Sequence, residues 1–571
     1  SLAFAAQEAM LTGESEPVDK SPADPVFSGT HAVRGRALAR VTATGPHTRL
    51  GQIAALTRRA QPDPTPLEKR LHQVALRLAG AAILLVLAIV AWGLYRGEPL
   101  REMFLLGVSM AVAAVPEGLP AIITIALALG ARRMLDRRAL VRKLASVETL
   151  GSVTVICTDK TGTLTENKMR VELTGALATP DLLAMAALAS TPGDPVDDAI
   201  LDAAGNSYSR PPLQSEIPFD SARKRVTMIY ADFAVSKGAP EVILAECTLA
   251  ESDRQAATEW ITSHAALGYR ILGVSRDAHW LGALALRDPL RAESKPAIAA
   301  CLAAGIRPVM LTGDHPLTAQ AIARDLFSPA EPPPDSVYAR VLPETKLEII
   351  ERFRQQREVV AMTGDGINDA PALKRADVGV AMGLMGTDVA RAASDIVLLD
   401  DNFSTIVAAV EEGRRVFANI RRILEYFLAS NVAEIAAMLL APAFGMPLPL
   451  LPLQILWINL VTDSLPALAL ILEPADPGVM REPPRRLAEP LLRRQELLTV
   501  ALASILLTAV SLGAGYHAFS LGYPDWQTRV FLVLVLSQLF LSLIPVAVLR
   551  LLGAQFLHPN RKSCVQRDPK E

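Results

Sequence analysis

Long apolar runs alternate with polar stretches along this chain. Six runs reach or approach the length of about 20 residues that an α-helix needs to cross a bilayer, and they occupy residues 76–95, 103–130, 423–443, 449–472, 497–519 and 529–552. Two runs precede a long polar insert and four follow it. The pattern therefore predicts a membrane protein with six spans and a large domain outside the bilayer.

The basic residues beside these runs predict the orientation. "ARRMLDRRALVRK" follows the second run and "EEGRRVFANIRR" precedes the third, whereas "YRGEPLRE" and "APAFGMPLP" on the other side are poorer in Lys and Arg. Basic loops stay in the cytoplasm. The insert and both ends of the chain are therefore predicted to be cytoplasmic. The alternative, buried core helices of a large soluble protein, is disfavoured because all six runs fit one topology.

The insert has the pattern of an α/β domain. Three apolar runs, "SVTVICTD", "IRPVMLTGD" and "EVVAMTGDG", each end in a carboxylate, and helical patterns separate them. This alternation predicts a parallel sheet with crossover helices. Asp159, Asp314 and Asp365 then meet at the carboxyl ends of the strands, where such sheets bind ligands. Residues 170–285 interrupt the pattern, which predicts an inserted domain.

Composition excludes several classes of function. The 571 residues carry a net charge of −2 with a mean hydropathy of +0.28, so no global field favours nucleic acid. The four cysteines form no CxxC pair, which argues against a disulfide framework and a cysteine metal site. The chain is too long to fold around a single hydrophobic core, so several domains are expected.

The strand ends carry the residues that phosphoryl transfer to a carboxylate needs. Asp159 in "ICTDKTGTLTENKM" can act as the nucleophile. The supporting candidates at neighbouring positions are Thr312, Gly313, Lys346, Asp365 and Asp369. The threonine and glycine offer a hydroxyl and a backbone N–H, the lysine neutralises charge, and the two aspartates offer hard oxygen ligands for Mg²⁺. Each residue alone is a weak signal, and together they predict this chemistry.

The second predicted span carries a carboxylate within an apolar run. Glu117 lies between Pro116 and Pro120 in "VAAVPEGLPA". A charged residue inside a membrane is costly and marks function by default. The prolines break the helix and free backbone carbonyls, here those of Val112, Ala113 and Val115. A proline-kinked packing helix with a snorkelling acid is the alternative.

Polar residues also interrupt three later spans. They are Asn431 and Glu434 in the third span, Asn459, Thr462 and Asp463 in the fourth, and Gln538 in the sixth. These side chains offer oxygen atoms and no sulfur. Hard oxygen donors favour Ca²⁺, with Mn²⁺ as a competitor, over soft metals. The pattern predicts a cation path through the bundle.

The motifs "DKTGTLT", "KGAPE" and "TGDGINDAPALK" resemble those of the P-type ATPases, which are built on a haloacid-dehalogenase-like core. The resemblance implies that Asp159 is autophosphorylated by ATP. It adds Lys160, Thr161, Asp314 and Asn368 to the catalytic set, and Asp159, Thr161 and Asp365 as Mg²⁺ ligands. Thr161 stands where family phosphatases have a second Asp, which implies a longer-lived phosphoenzyme. In "LTGES", Glu14 resembles the residue that positions the attacking water.

The resemblance extends to nucleotide and cation binding. The implied nucleotide-binding residues are Asp197, Phe219, Lys237, Gly238 and Arg270, although the family more often has Glu at the first of these positions. The intramembrane oxygen donors match ligand positions of the sarcoplasmic-reticulum-type, or type IIA, calcium pumps. Gln538 departs from the animal pump, which has Glu there. This leaves one or two Ca²⁺ per cycle open.

The predicted fold is an α-helical transmembrane bundle joined to a cytoplasmic α/β haloacid-dehalogenase-like phosphorylation domain. A nucleotide-binding domain is inserted into the latter, and a partial β-rich actuator domain precedes the bundle. The predicted divisions are actuator 1–70, two spans 71–138, phosphorylation domain 139–169 and 286–415, nucleotide-binding domain 170–285, four spans 416–555 and a tail 556–571.

The family normally has two more spans before the "TGES" loop and often two more at the C-terminus. The resemblance therefore predicts a pump truncated at both ends, with a missing N-terminal portion that could be encoded separately. An inactive fragment and a membrane-anchored phosphatase that needs no ion remain as alternatives. The Ala- and Arg-rich composition and minimal loops favour a multi-pass protein of a bacterial cytoplasmic membrane.

Overall fold

The computed structural model describes residues 4–8, 17–49, 51, 99–113, 118–205, 208–220, 223–329, 331–485, 490 and 492–543, with isolated positions between 80 and 95. Four predicted features lie wholly or mostly outside the described residues. They are the loop with Glu14, most of the first span, Val115 with Glu117 in the second span, and the C-terminal tail.

The strands are β1 (Phe4–Gln7), β2 (Val18–Lys20), β3 (His31–Arg34), β4 (Ala139–Val141), β5 (Val155–Asp159), β6 (Arg170–Gly175), β7 (Leu213–Asp220), β8 (Arg225–Tyr230), β9 (Ala234–Gly238), β10 (Arg270–Arg276), β11 (His279–Arg287), β12 (Arg307–Leu311), β13 (Val337–Tyr338), β14 (Val360–Gly364), β15 (Val378–Met382) and β16 (Ile396–Leu398). They form three separate sheets. The first, β2-β1-β3, is antiparallel and lies in the part predicted as the actuator domain.

The helices are α1 (Leu100–Ala113), α2 (Leu119–Asp136), α3 (Ala145–Gly151), α4 (Leu182–Leu188), α5 (Pro195–Ala204), α6 (Pro240–Glu246), α7 (Glu251–Ala266), α8 (Ser294–Ala303), α9 (Pro316–Phe327), α10 (Pro343–Gln355), α11 (Ala370–Arg375), α12 (Asp388–Ala393), α13 (Phe403–Leu440), α14 (Pro452–Trp457), α15 (Ser464–Ile471), α16 (Arg494–Ser520) and α17 (Trp526–Leu543). The described parts of the second predicted span form two helices, α1 and α2, on either side of residues 114–117.

The predicted parallel α/β domain is confirmed. Its sheet has the order β13-β12-β5-β14-β15-β16-β4, and every neighbouring pair is parallel except β16 with β4. The central strand β5 is buried up to its last residue, because parallel sheets are covered by helices on both faces. The antiparallel edge strand β4 has no counterpart in the sequence prediction, since its three residues are too few to show a periodicity.

A second, antiparallel sheet is inserted between β5 and β12. Its order is β6-β11-β10-β9-β8-β7. The chain enters it through β6 and leaves it through β11, which are neighbours, so the entry and exit points lie side by side. This arrangement allows a complete domain to be inserted through two adjacent connections without interrupting the parallel sheet.

The described residues include three helical segments long and apolar enough to cross a membrane: Phe403–Phe444, Pro452–Ile471 and Arg494–Ser520. A shorter apolar helix follows at Trp526–Ser542. The helix α13 runs unbroken through the predicted division between residues 415 and 416. One rigid element therefore joins the α/β domain to the bundle.

A glycine pair allows α3 to approach α13 closely. A Cβ atom added at Gly413 would lie 2.6 Å from Val147 O and from Gly151 N, which is too close for any side chain. We predict that Gly413→Ala lowers the free energy of unfolding by about 1–3 kcal/mol, as overpacking does. Gly513→Ala is the control, because a Cβ at Gly513 in α16 meets nothing within 4 Å and alanine favours helices. Thermal unfolding in detergent measures both, and equal midpoints would contradict the prediction.

Candidate functional site

The sheet order places three sequence-predicted segments side by side. The strand β5 lies between β12 and β14, so Asp159 at its carboxyl end has Thr312 on one side and Asp365 on the other. The chain leaves β5 through a wide turn, Lys160–Leu164, in which Gly162 has φ +74°. Glycine tolerates this left-handed conformation without the strain that a Cβ atom brings. The turn directs the chain away from the sheet, so the carboxylate of Asp159 lies at the sheet edge.

Lys346 links the predicted nucleophile to a second carboxylate. Its Nζ donates hydrogen bonds to Asp159 Oδ2 (2.6 Å) and Asp369 Oδ1 (2.8 Å). Burial alone would lower the pKa of Lys346, but these two carboxylates outweigh it and raise the pKa above its ordinary value. The lysine therefore remains an ammonium ion, and its hydrogen bond holds the side chain of Asp159 in place.

A tight turn after β14 positions the remaining carboxylates. Asp369 Oδ2 accepts hydrogen bonds from the backbone N–H groups of Asp365 (3.2 Å) and Gly366 (3.1 Å). Burial, followed by the charges of Asp369 and Asp159, raises the pKa of Asp365 to about 7. One ammonium group thus faces three carboxylates, and this excess of negative charge favours a bound cation.

The structure also places the other predicted catalytic residues at this edge. Lys160 Nζ forms an ion pair with Asp314 Oδ2 (2.8 Å), and the backbone N–H of Asp314 donates to Thr312 Oγ1 (3.1 Å). Gly313 lies between these two residues. Asn368 is buried, and its Oδ1 has no hydrogen-bond partner within the described ranges. Thr161 follows Lys160 in the wide turn.

The sequence prediction missed the side chains that hold this turn. Arg291 donates from Nη2 to Gly162 O (3.1 Å) and from Nε to Thr165 O (3.1 Å), and Ser294 Oγ donates to Leu164 O (2.8 Å). Beneath the site, Thr363 Oγ1 donates to Thr158 Oγ1 (2.9 Å). The sequence feature that could have indicated Arg291 is its place in "RDPLR", where the chain returns from the inserted domain to the parallel sheet.

We predict that Arg291→Gln slows phosphorylation of Asp159 about tenfold, since loosening a positioned loop by a fraction of an ångström has effects of this size or larger. The matched control is Arg254→Gln. Arg254 also donates to two carbonyls, Leu244 O and Cys247 O, but it lies in the inserted domain. Single-turnover phosphorylation by ATP measures the rate, and equal rates for the two variants would argue against a positioning role.

The predicted nucleotide residues gather at one end of the inserted sheet. Phe219 and Gly238 lie at the ends of β7 and β9, which run in the same direction, and Arg270 begins the antiparallel neighbour β10. The ring of Phe219 is 45% exposed. An exposed aromatic ring on a strand can stack with a planar base.

Lys237 at this end is buried and ion-paired. Its Nζ contacts Asp197 and donates to Ser190 Oγ (2.8 Å). Burial lowers the pKa of Lys237 despite the nearby carboxylate of Asp197. A Cβ atom at Gly238 would lie 2.3 Å from Lys224 O. The backbone there has no room for a side chain, so glycine is required.

The predicted cation residues of the fourth span surround an irregular turn. The segment Ile458–Thr462 is a π-helical turn between α14 and α15. Such bulges occur frequently at functional sites because they free backbone carbonyls and redirect side chains. Asn459, Thr462 and Asp463 lie in or directly after this turn, and all three are buried.

The third and sixth spans contribute to the same place. Gln538 Nε2 donates to Glu434 Oε1 (3.1 Å), and both side chains are fully buried. Among the residues that the structure covers, the buried side-chain oxygens without a hydrogen-bond partner at this place include Asn431 Oδ1, Glu434 Oε2, Asp463 Oδ2 and Gln538 Oε1. Buried oxygens are normally paired, so this concentration of unpaired acceptors fits a cation.

Two further residues beside the predicted cation ligands, Tyr426 and Ser430, were not predicted. Tyr426 donates its hydroxyl to Asp463 Oδ1 (3.0 Å), one helical turn before the buried Ser430. The N-terminal end of α2 also contacts this region, because a Cβ atom at Gly118 would lie 2.7 Å from Ser464 Oγ and 3.6 Å from Asn459 O. Ala113 is buried at the end of α1, beside Val112.

The described part of the chain contains no group of three His, Cys, Asp or Glu side chains placed to hold a metal ion. This fits the composition of both sites. Mg²⁺ keeps several waters and takes one or two carboxylates besides substrate oxygens. The intramembrane site combines two carboxylates, Glu434 and Asp463, with amides and a hydroxyl, and the third predicted carboxylate, Glu117, lies outside the described residues.

Comparison with known proteins agrees with this arrangement. Residues 3–58 match the model of the P-type ATPase actuator domain, residues 153–377 that of haloacid dehalogenase-like hydrolases, and residues 447–547 that of the cation transporting ATPase C-terminus. A calcium-transporting ATPase of Bacillus subtilis is 38% identical over 93% of this chain and 73% of its own length. Calcium-transporting ATPase 1 of Bacillus cereus is 38% identical over 85% and 65%.

Solved structures agree as well. A zinc-transporting PIB-type ATPase in the E2.Pi state superimposes with a TM-score of 0.71 and 27% identity, over 82% of this chain and 75% of that one. The chain spans about two thirds to three quarters of the length of the proteins it matches. Its sheet order, its carboxylate cluster and these similarities lead to one assignment: the chain belongs to the P-type ATPases, the ATP-hydrolysing cation translocases.

Proposed function

We propose that this protein carries Ca²⁺ out of the cytoplasm and that each cycle passes through an acyl phosphate of Asp159. The observation that carries the proposal is the set of buried, unpaired oxygens of Asn431, Glu434, Asp463 and Gln538. Oxygen donors with two carboxylates suit a hard divalent cation. The relatives named as calcium-transporting ATPases favour Ca²⁺ over Mn²⁺.

The geometry of Asp159 supports its role as the nucleophile. Lys346 bonds Oδ2 of Asp159, and we assign the attack on the γ-phosphorus of ATP to the other oxygen, Oδ1. The bond from Asp159 Oδ1 to phosphorus forms as the bond to the β–γ bridging oxygen breaks, and ADP leaves with that oxygen. Lys160, paired with Asp314, adds positive charge beside the group in transfer.

A bound Mg²⁺ would neutralise charge on the phosphoryl oxygens. The proposed holders are Asp159, Thr161 and Asp365, and the excess negative charge of the site fits this assignment. Proton and cation compete for Asp365, whose pKa is about 7. Thr161 offers no carboxylate to activate water, so hydrolysis of the phosphoenzyme is assigned to Glu14, outside the described residues.

The inserted domain is proposed to hold ATP. Phe219 would stack on the adenine ring, while Lys237 and Arg270 would face the anionic part of the nucleotide, with Gly238 beside them in the pocket. Asp197 holds Lys237 in position through their ion pair. The apolar helices imply contact with membrane lipid, and the bacterial relatives favour a cytoplasmic membrane.

The test is phosphorylation of the purified chain by radiolabelled ATP with Mg²⁺, in the presence of Ca²⁺, of Mn²⁺ or of neither. We expect acid-stable label that hydroxylamine releases, as it does from an acyl phosphate, and that depends on Ca²⁺. Label that requires Mn²⁺ instead would assign the other cation. Cation-independent label would support the membrane-anchored phosphatase, and folded protein without label in any condition would support an inactive fragment.

A further inference from the structure

A basic cavity lies outside the catalytic and cation sites, at the base of the bundle. Its volume is about 430 Å³. It is bounded by the C-terminal end of α3, by the part of α13 that precedes the predicted third span, by the loop of residues 476–485 that follows α15, and by the first turn of α16. The cavity therefore lies between the phosphorylation domain and the ends of the apolar helices.

Arginines predominate on the cavity wall. Five arginines line it (Arg414, Arg421, Arg422, Arg485 and Arg493) against three carboxylates (Asp476, Glu482 and Glu496). Some of these charges compensate one another: Arg421 pairs with Glu496 (2.7 Å), and Arg422 pairs with Asp476 (2.6 Å). Two carboxylates beyond the wall also pair with these arginines, Glu473 with Arg422 (2.6 Å) and Glu148 with Arg485 (3.7 Å), so an anionic ligand is favoured by the buried donors that these pairs leave unused.

Two of these arginines retain unused donors. Arg414 donates to three neutral carbonyls, Val479 O (2.8 Å), Glu482 O (2.7 Å) and Ala304 O (2.9 Å). Its Nε is buried and has no acceptor among the described residues, and the same holds for Nε of Arg421. Arg414 is 8% exposed. A buried charged donor without a partner is costly, so an anionic acceptor in this cavity would remove a penalty that the protein alone leaves in place.

We propose that this cavity binds a phosphate group, presented by the headgroup of an anionic phospholipid. The position argues for a lipid, because the cavity lies where spanning helices enter the membrane, and basic pockets between such helices bind acidic headgroups. The guanidinium groups suit phosphate oxygens, which they can bond bidentately. A free phosphate ion carries the same chemistry and is the second source to test.

The experiment titrates the purified full chain with phosphatidylglycerol, with phosphatidylcholine as the neutral reference, and counts bound lipid by native mass spectrometry. Arg421→Gln removes one charge, and Ala418→Phe fills the cavity from α13 while leaving every charge in place. Arg494→Gln is the matched control, since Arg494 is exposed one residue beyond Arg493 and does not line the cavity. Circular dichroism checks that each variant folds.

We expect Arg421→Gln to weaken phosphatidylglycerol binding about fivefold, the contribution of one arginine near an acidic headgroup. Ala418→Phe should abolish tight binding, and Arg494→Gln should leave it unchanged. A parallel titration with inorganic phosphate distinguishes the two sources of the phosphate group. If phosphate displaces the lipid and depends on the variants in the same way, the cavity binds phosphate and the free ion is also a ligand. Equal lipid binding by wild type, Arg421→Gln and Ala418→Phe would overturn the proposal.

Discussion

Asp159→Asn is expected to abolish the phosphoenzyme, with a fall in phosphorylation rate of at least about a thousandfold. An amide does not attack phosphorus, and removing a nucleophile costs factors of this size or more. The neighbouring Asp369 is not expected to substitute, because Lys346 and two backbone N–H groups already bind its carboxylate. Acid-quenched labelling with radioactive ATP measures the loss.

The fold should survive this substitution. Asp159 shares a crowded site with Asp365 and Asp369, and loss of one negative charge relieves repulsion, although Lys346 loses one acceptor. We therefore expect a small change in the thermal midpoint and undiminished ATP binding. Asp388→Asn is the control, because Asp388 belongs to the same domain and its side chain is 96% exposed. Residual label in Asp159→Asn at more than one per cent of wild type would contradict the assignment.

Asp463→Asn is expected to weaken the binding of Ca²⁺, so that the Ca²⁺ concentration for half-maximal phosphorylation rises about a hundredfold. Affinity for Ca²⁺ follows the number of ligand charges, and Asp463 is one of two buried carboxylates in the described part of the site. The amide preserves the shape and can still accept the hydrogen bond from Tyr426. A Ca²⁺ titration of the phosphoenzyme level measures the shift.

A second measurement distinguishes loss of cation binding from loss of the folded structure. Hydrolysis of p-nitrophenyl phosphate uses the catalytic edge of the parallel sheet and should persist in Asp463→Asn. The amide is also cheaper to bury than a carboxylate, so the variant should unfold at the same temperature as wild type or higher. Asp525→Asn is the control, an exposed residue paired with Arg529 before α17. An unchanged Ca²⁺ titration would exclude Asp463 from the cation site.

Local patterns in the sequence were sufficient to predict the overall architecture of this protein. Apolar runs indicated the spanning helices, since length and hydropathy are set by the bilayer alone. Apolar strands ending in Asp159, Asp314 and Asp365 indicated a parallel sheet with its site at the carboxyl edge, because that rule depends only on strand direction. The fold class and the family resemblance were both confirmed.

Tertiary structure alone decided which side chains meet. Lys346 bonds Asp159 across 187 positions of sequence, Arg291 bonds Gly162 across 129, and Gln538 bonds Glu434 across 104. The hydroxyl of Tyr426 reaches Asp463 from another helix. Hydrophobic periodicity records whether a residue is buried, but not its partner, because the partner depends on strand order and helix packing. The unpaired oxygens of the cation site and the basic cavity became visible only when these distant segments were assembled.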